Sequence, residues 1–273
     1  MALTGIEIFK KLPKKNCGEC GVPTCLAFAM SLAAGKAELS ACPYVSEEAK
    51  QELGEASAPP IRPLTVGTGD YALKIGGETV MFRHEKTFVN PPGIAVLITD
   101  TMEEAEIERR LQQFDLLQYE RVGLLLRPEL IAIKAASGDA QKFQQVVNKV
   151  KTSTKASLIL MSQDPGVLAA VLSQCQDRKP LLYAATKENW EKLADLAKQN
   201  GCSLVVRGEN LDELTELTTK LTQAGAKDLV LDSGARTPRQ LLEDQTIIRR
   251  AALLKKFRPL GFPTIAFPCE MAD

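Results

Sequence analysis

Four of the seven cysteines, Cys17, Cys20, Cys25 and Cys42, fall in the stretch NCGECGVPTC and the later dipeptide Cys42-Pro43. Two, four and sixteen residues separate them, whereas Cys175, Cys202 and Cys269 lie far apart among apolar neighbours. Thiolates are soft ligands, so a four-sulfur set selects zinc or iron-sulfur chemistry. Structural zinc usually takes two short Cys pairs that face one another. Here one CxxC is followed by a wider CxxxxC and a distant Cys-Pro, the wrap of a ferredoxin-type [4Fe-4S] site. Gly18 and Gly21 suit that wrap because they accept positive φ and let backbone N–H groups approach the cluster sulfurs. A zinc knuckle and a pair of disulfides stand as the alternatives.

The rest of the composition narrows what can surround such a site. The 273 residues are 45% hydrophobic, enough for a substantial core, and Lys plus Arg equal Asp plus Glu at 34 each. A balanced charge with few aromatics gives no footprint for nucleic acid. No apolar run reaches a membrane span, and MALTGIEIFKKLPKK lacks a signal-peptide core, so a cytoplasmic location is expected. A reducing compartment also favours thiolate ligands over disulfides.

Residues 1–56 read as a small cluster domain. Thr4 is a candidate N-cap for a helix from Gly5 to Leu12, with Ile6, Phe9 and Leu12 expected against the cluster loop and Pro13 ending it. Cys25 opens an apolar helix that Gly35 stops, and Ser46 should cap a further short one. Residues 57–92 follow as a Pro-rich linker and a β-hairpin. The run from Ala56 to Pro63 is read either as a tether or as a segment packed on the next domain. The hairpin is expected to pair Ala72–Ile75 with Thr79–Phe82 through Gly76-Gly77. His84, the single histidine, reads as structural, and without a second one there is no Ser-His or Cys-His pairing.

From residue 93 to 273, short apolar runs alternate with amphipathic helices. Strands are predicted at Ile94–Thr99, Leu130–Lys134, Leu158–Met161, Leu181–Ala184, Ser203–Val206, Leu229–Leu231 and Thr264–Phe267. Thr101, Ser137 or Asp139, Asp164, Thr186, Asn210 and Thr237 are the expected helix caps. An even period and no GxGxxG loop favour a TIM-type (β/α)8 barrel over a doubly wound sheet. Seven strands leave that barrel incomplete at the C-terminus, as expected of a fragment.

Residues at the C-terminal strand ends would face the barrel mouth: Asp100, Ser162, Asp164, Thr186, Arg207, Asp232, Ser233, Gly234 and Arg236. Asp232 to Arg236 is the most site-like group. It can be read as a buried ion pair with helix caps, or as a receptor for a pterin or phosphate. Trp190, Cys175, Cys202 and Cys269 read as packing residues.

The stretch KLPKKNCGECGVPTCLAFAMSLAAGKAELSACPYVS closely resembles the iron-sulfur domain of the large subunit of corrinoid iron-sulfur proteins of the anaerobic acetyl-CoA pathway. The Pro-rich linker, FRHEKTF, DRKPLLYAAT and LVLDSGAR extend the resemblance along the chain. It implies a methyl carrier whose cobamide cobalt accepts a methyl group from methyltetrahydrofolate through a methyltransferase and passes it to acetyl-CoA synthase. By the same resemblance Cys17, Cys20, Cys25 and Cys42 bind a [4Fe-4S] cluster that relays a low-potential electron to return Co(II) to Co(I). It further implies a heterodimer with a small subunit, a low-potential electron donor, and a carrier acting as protein substrate rather than as an independent catalyst. The corrinoid domain itself is not matched here, and no DxHxxG signature offers a cobalt ligand. A stand-alone iron-sulfur electron-transfer module on a barrel scaffold is the alternative.

Overall fold

The computed structural model describes residues 4–33, 37, 39–46, 48–50, 53, 59–82, 84–86 and 90–271, in two compact units, 1–59 and 60–273. Gly35 and residues 56–58 of the expected linker lie outside the described residues.

The first unit is built on two short helices. Helix α1 (Gly5–Lys11) begins with a capping box: the Glu7 amide donates to Thr4 Oγ1 at 3.3 Å, and the Thr4 amide donates to Glu7 Oε2 at 2.7 Å. That exchange satisfies two backbone donors at the helix start and holds the Glu7 carboxyl below its usual pKa. Helix α2 (Cys25–Ala33) packs on α1 so closely that a Cβ on Gly5 would stand 2.2 Å from the Met30 sulfur. This approach turns Ile8 and Leu12 inward and leaves Ile6 63% exposed, so Ile6 does not join the buried face expected of it. Ser46 caps as expected, its Oγ accepting from the Ala49 amide at 3.2 Å.

The second unit is an α/β fold of barrel type. Six parallel strands, β3 (Ala95–Thr99), β6 (Leu130–Lys134), β7 (Ser157–Met161), β8 (Leu181–Ala185), β9 (Leu204–Arg207) and β10 (Leu229–Asp232), pair strictly in chain order. That order has no switch point, which separates it from a doubly wound sheet. The helices between the strands are α3 (Glu104–Leu116), α4 (Ala140–Ser153), α5 (Pro165–Cys175), α6 (Trp190–Asn200) and α7 (Leu211–Gln223), with α8 (Pro238–Leu253) after the last. Their apolar faces pack on one side of the sheet, where Ile131, Ile133, Leu158, Leu160 and Val206 point. Alternate residues, among them Ala132, Ile159, Tyr183, Val205 and Val230, point to the other side and form a separate inner core. Period-two alternation between two apolar faces explains why these strands read as continuous hydrophobic runs.

The seventh predicted strand is reduced to a single bridge, Leu231 to Thr264, with the Leu231 amide bonded to the Pro263 carbonyl and the Ile265 amide to that of Leu231. Pro263 and Pro268 flank the segment and limit the ladder. Between it and β3 the concave face holds a largely apolar cavity of about 720 Å3 lined by residues such as Leu97, Leu130 and Phe267.

The expected hairpin pairs differently. β2 (Leu73–Ile75) joins β1 (Leu64–Val66), not Thr79–Phe82. Gly76 and Gly77 do adopt positive φ, 78° and 89°, but the Gly77 amide bonds the Ile61 carbonyl, turning the chain against the 61–62 segment. Residues 80–81 instead offer their carbonyls to the Arg249 guanidinium. Ile61 is buried against Ala252 and Leu253, so this end of the Pro-rich run is an ordered part of the second unit. A further hairpin has no counterpart in the sequence reading: β4 (Tyr119–Arg121) and β5 (Leu124–Leu126), turned by Val122 and Gly123 at positive φ.

Two caps differ from expectation. Helix α3 starts after Glu103 while Thr101 bonds Thr99, and α6 starts after Asn189, whose Oδ1 accepts from the Thr186 amide. Asp139 caps α4, whereas Ser137 bonds Asp100. Asp164, Asn210 and Thr237 cap as read. Cys175 and Cys202 are buried and Trp190 packs on the core, but Cys269 is exposed because Phe267 takes the inward position before the turn Pro268–Glu270.

Candidate iron-sulfur site

All seven cysteines are free thiols, and the first four occupy one small region of the N-terminal unit. Cys25 is the first residue of α2, which fixes its direction; Thr24 holds that helix start by accepting from the Ala27 amide at 3.1 Å. Cys42 follows the turn Leu39–Ala41 and is buried with Cys25, Phe28 and Val45 in the unit's core. Cys20 is half-buried against the same core and Cys17 is exposed. The loop between them needs Gly18 and Gly21 at φ 77° and 82°, where other residues are strained, and a Cβ there would meet nothing within 4 Å. Conformation, not packing, demands these glycines, and the space beside them is open. A set of four free thiols on such a loop fits a cluster by its donor chemistry. Among the described residues no three His, Cys, Asp or Glu side chains converge on one ion.

Residues outside the quartet bind the loop together. The Asn16 carboxamide oxygen accepts from the Cys25 amide at 2.8 Å, and the Asn16 amide lies 3.4 Å from the Cys25 sulfur. Tyr44 donates to the Glu19 carboxylate at 2.8 Å, and Lys15 Nζ lies 3.9 Å from its ring centroid. The hydrogen bond to Glu19 raises the Tyr44 phenol above its usual pKa, and the nearby Cys17 and Cys42 sulfurs add to the rise. Sequence reading missed Asn16, Glu19 and Tyr44 because their contacts cross nine to twenty-five residues and follow no motif.

At the strand ends of the second unit, Asp232 is 2% exposed and fully engaged. It accepts from the Gly234 amide at 2.9 Å, from Tyr183 at 2.7 Å, and from Arg236 at 3.0 and 3.2 Å. Arg236 continues to Glu270 at 3.1 Å, Glu270 to Lys134 at 2.5 Å, and Phe267 packs on both Tyr183 and Arg236. Burial and the Asp232 charge keep the Tyr183 phenol neutral. Burial would pull Arg236 down, but its bonds to Asp232 outweigh that and hold it charged. Likewise burial would raise the Glu270 carboxyl, and Lys134 with Arg236 brings it below its usual range. Asp100 is closed off in the same way by the Ala136 and Ser137 amides at 2.7 and 2.8 Å. Ser162 Oγ accepts from Asp164 within its turn. These groups satisfy one another, and Asp232 with Arg236 forms the buried ion pair of the structural reading. His84 is exposed and stacks on Phe82.

Residues 12–44 match a family model described as "Putative Fe-S cluster", and residues 63–272 one described as CO dehydrogenase/acetyl-CoA synthase delta subunit. Among curated proteins, the corrinoid/iron-sulfur protein large subunit of Moorella thermoacetica is 47% identical over 97% of this chain and 60% of its own length. The acetyl-CoA decarbonylase/synthase complex subunit gamma of Methanopyrus kandleri is 37% identical over 96% of this chain and 57% of its own, and subunit gamma 1 of Methanosarcina thermophila is 38% identical over 96% and 58%. The chain thus spans a little over half the length of these relatives. Since the delta-subunit match runs through the curled sheet and all its helices, the chain belongs to the CO dehydrogenase/acetyl-CoA synthase delta subunit family.

Proposed function

We propose that this chain is the iron-sulfur and barrel portion of a corrinoid iron-sulfur protein large subunit, a methyl carrier between a methyltetrahydrofolate methyltransferase and acetyl-CoA synthase. Cys17, Cys20, Cys25 and Cys42 hold a [4Fe-4S] cluster. When bound, that cluster supplies single low-potential electrons for reductive activation of the corrinoid cobalt. The observation that carries the reading is the loop itself: four free thiols, two glycines held at positive φ, and a backbone N–H aimed at a ligand sulfur. The burial of Cys25 and Cys42 excludes water from one side of the site, while exposed Cys17 gives an electron donor its nearest approach.

Corrinoid binding belongs to the whole protein. Among the described residues the one histidine, His84, lies exposed against Phe82, and no step is assigned to it. Assembly with a small subunit is supported by the β4–β5 ribbon and the end of α3, where Leu116, Leu117, Tyr119, Val122, Leu124 and Leu125 are each more than half exposed. A concentration of apolar side chains like this marks a surface that another chain covers. Among the described residues no helix is long and apolar enough to cross a membrane.

The test is the visible and EPR spectrum of the protein prepared without oxygen together with its partner subunit. Broad iron-sulfur absorption, about four irons per chain, and corrinoid bands that shift on reduction are the expected result. Zinc, or no metal, at the cysteine quartet would overturn the cluster reading; iron-sulfur absorption without corrinoid bands would overturn the carrier reading.

A further inference from the structure

One residue outside the quartet closes the loop that bears three of its members. Asn16 stands immediately before Cys17 and reaches across nine positions to Cys25, which it meets twice. Its carboxamide oxygen accepts the Cys25 amide proton at 2.8 Å, and its own amide points at the Cys25 sulfur from 3.4 Å. The Cys25 amide is the first of helix α2, a donor with no partner inside the helix, so the carboxamide also serves as a cap delivered from a distance. Asn16 adopts φ 47°, a left-handed conformation that Asn tolerates better than most residues. In that conformation its side chain and its backbone N–H both face Cys25. The side-chain bond fixes the backbone of the loop's two ends, and with the ends fixed the N–H is held on the sulfur.

Resting on the ligation proposed above, we propose that Asn16 is the positioning residue of this site. The carboxamide locks the loop closed, and the N–H it aims at Cys25 holds the reduction potential above that of an unclamped loop. An N–H donated to a ligand sulfur stabilises the more negative, reduced state of the centre. Asn16 touches the candidate ligand Cys25, so its influence acts through that residue.

The full chain is to be prepared without oxygen as wild type, Asn16→Gly and Asn16→Asp, and followed by EPR-monitored redox titration and by loss of absorption under an iron chelator. Glycine keeps the positive φ and deletes only the acceptor. Asn16→Gly is expected to move the midpoint to a more negative value and to release iron several-fold faster. Asn16→Asp retains an acceptor oxygen and is expected to resist the chelator as wild type does. If the glycine variant takes up no cluster while the aspartate variant does, the clamp is supported. A glycine variant with the wild-type midpoint and release rate overturns the proposal, as does failure of both variants to take up a cluster that wild type holds. Absence of a cluster from wild type overturns the ligation reading and this proposal together.

Discussion

The two units reach a fixed structure by different routes. In the second, the strands of the sheet centre are buried along their whole length, and two apolar clusters, one on each face, surround them. Each fully buried Leu or Ile there contributes about 1.5–3 kcal/mol. Among the described residues the first unit has a single small cluster in which Cys25 and Cys42 sit beside Ile8, Leu12, Phe28 and Val45. Two of its core residues are therefore candidate ligands. On the proposed ligation, a region this small with so few large apolar side chains draws its stability from what its thiols hold, whereas the sheet depends on hydrocarbon.

The largest test of that contrast is removal of metal. Cys42→Ala, or anaerobic chelation, should abolish the cooperative unfolding of the first unit while helical circular dichroism from the second persists; a single shared transition would break the contrast. Next, Arg236→Ala leaves Asp232 buried without its counter-ion and should cost the second unit about 3 kcal/mol in urea unfolding. The first unit's metal content should not change.

A smaller effect comes with alkali. Burial pushes the Cys202 thiol up to about 11 from its usual 9.0. A raised folded-state value means the stabilisation is complete below pH 9 and is lost as pH climbs from about 9 to 11, by up to about 2 kcal/mol. Cys202→Ala should flatten the pH dependence of unfolding across that window. Smallest for stability is Val122→Glu on the β4–β5 turn, where the side chain is 94% exposed: unfolding should move by under about 0.5 kcal/mol. Co-purification with the partner subunit should nevertheless be lost.

What the sequence disclosed follows the same division. Buried strands announced themselves as apolar runs within a residue of their observed ends, since burial on both faces leaves little room for polar residues. Side chains that cap through their nearest amides, such as Asp164 and Asn210, were equally legible. The β4–β5 hairpin was not, because its strands are exposed on both faces and Val122 is an atypical residue for positive φ. Nor was the glycine pair at 76–77, whose local turn signal was overruled by a bond to Ile61. In the cysteine site the expected ligand set rests on spacing alone, whereas Asn16, Glu19 and Tyr44 act through contacts that only the folded loop creates.

The uneven shielding of the four thiols also governs how such a centre is damaged. Oxygen, peroxide or a chelating agent reaches Cys17 first, while Cys25 and Cys42 stay sealed in the unit's interior. Attack therefore begins at one vertex and leaves the sheltered anchors in place. A centre injured in that order loosens at its exposed corner before its sheltered anchors let go.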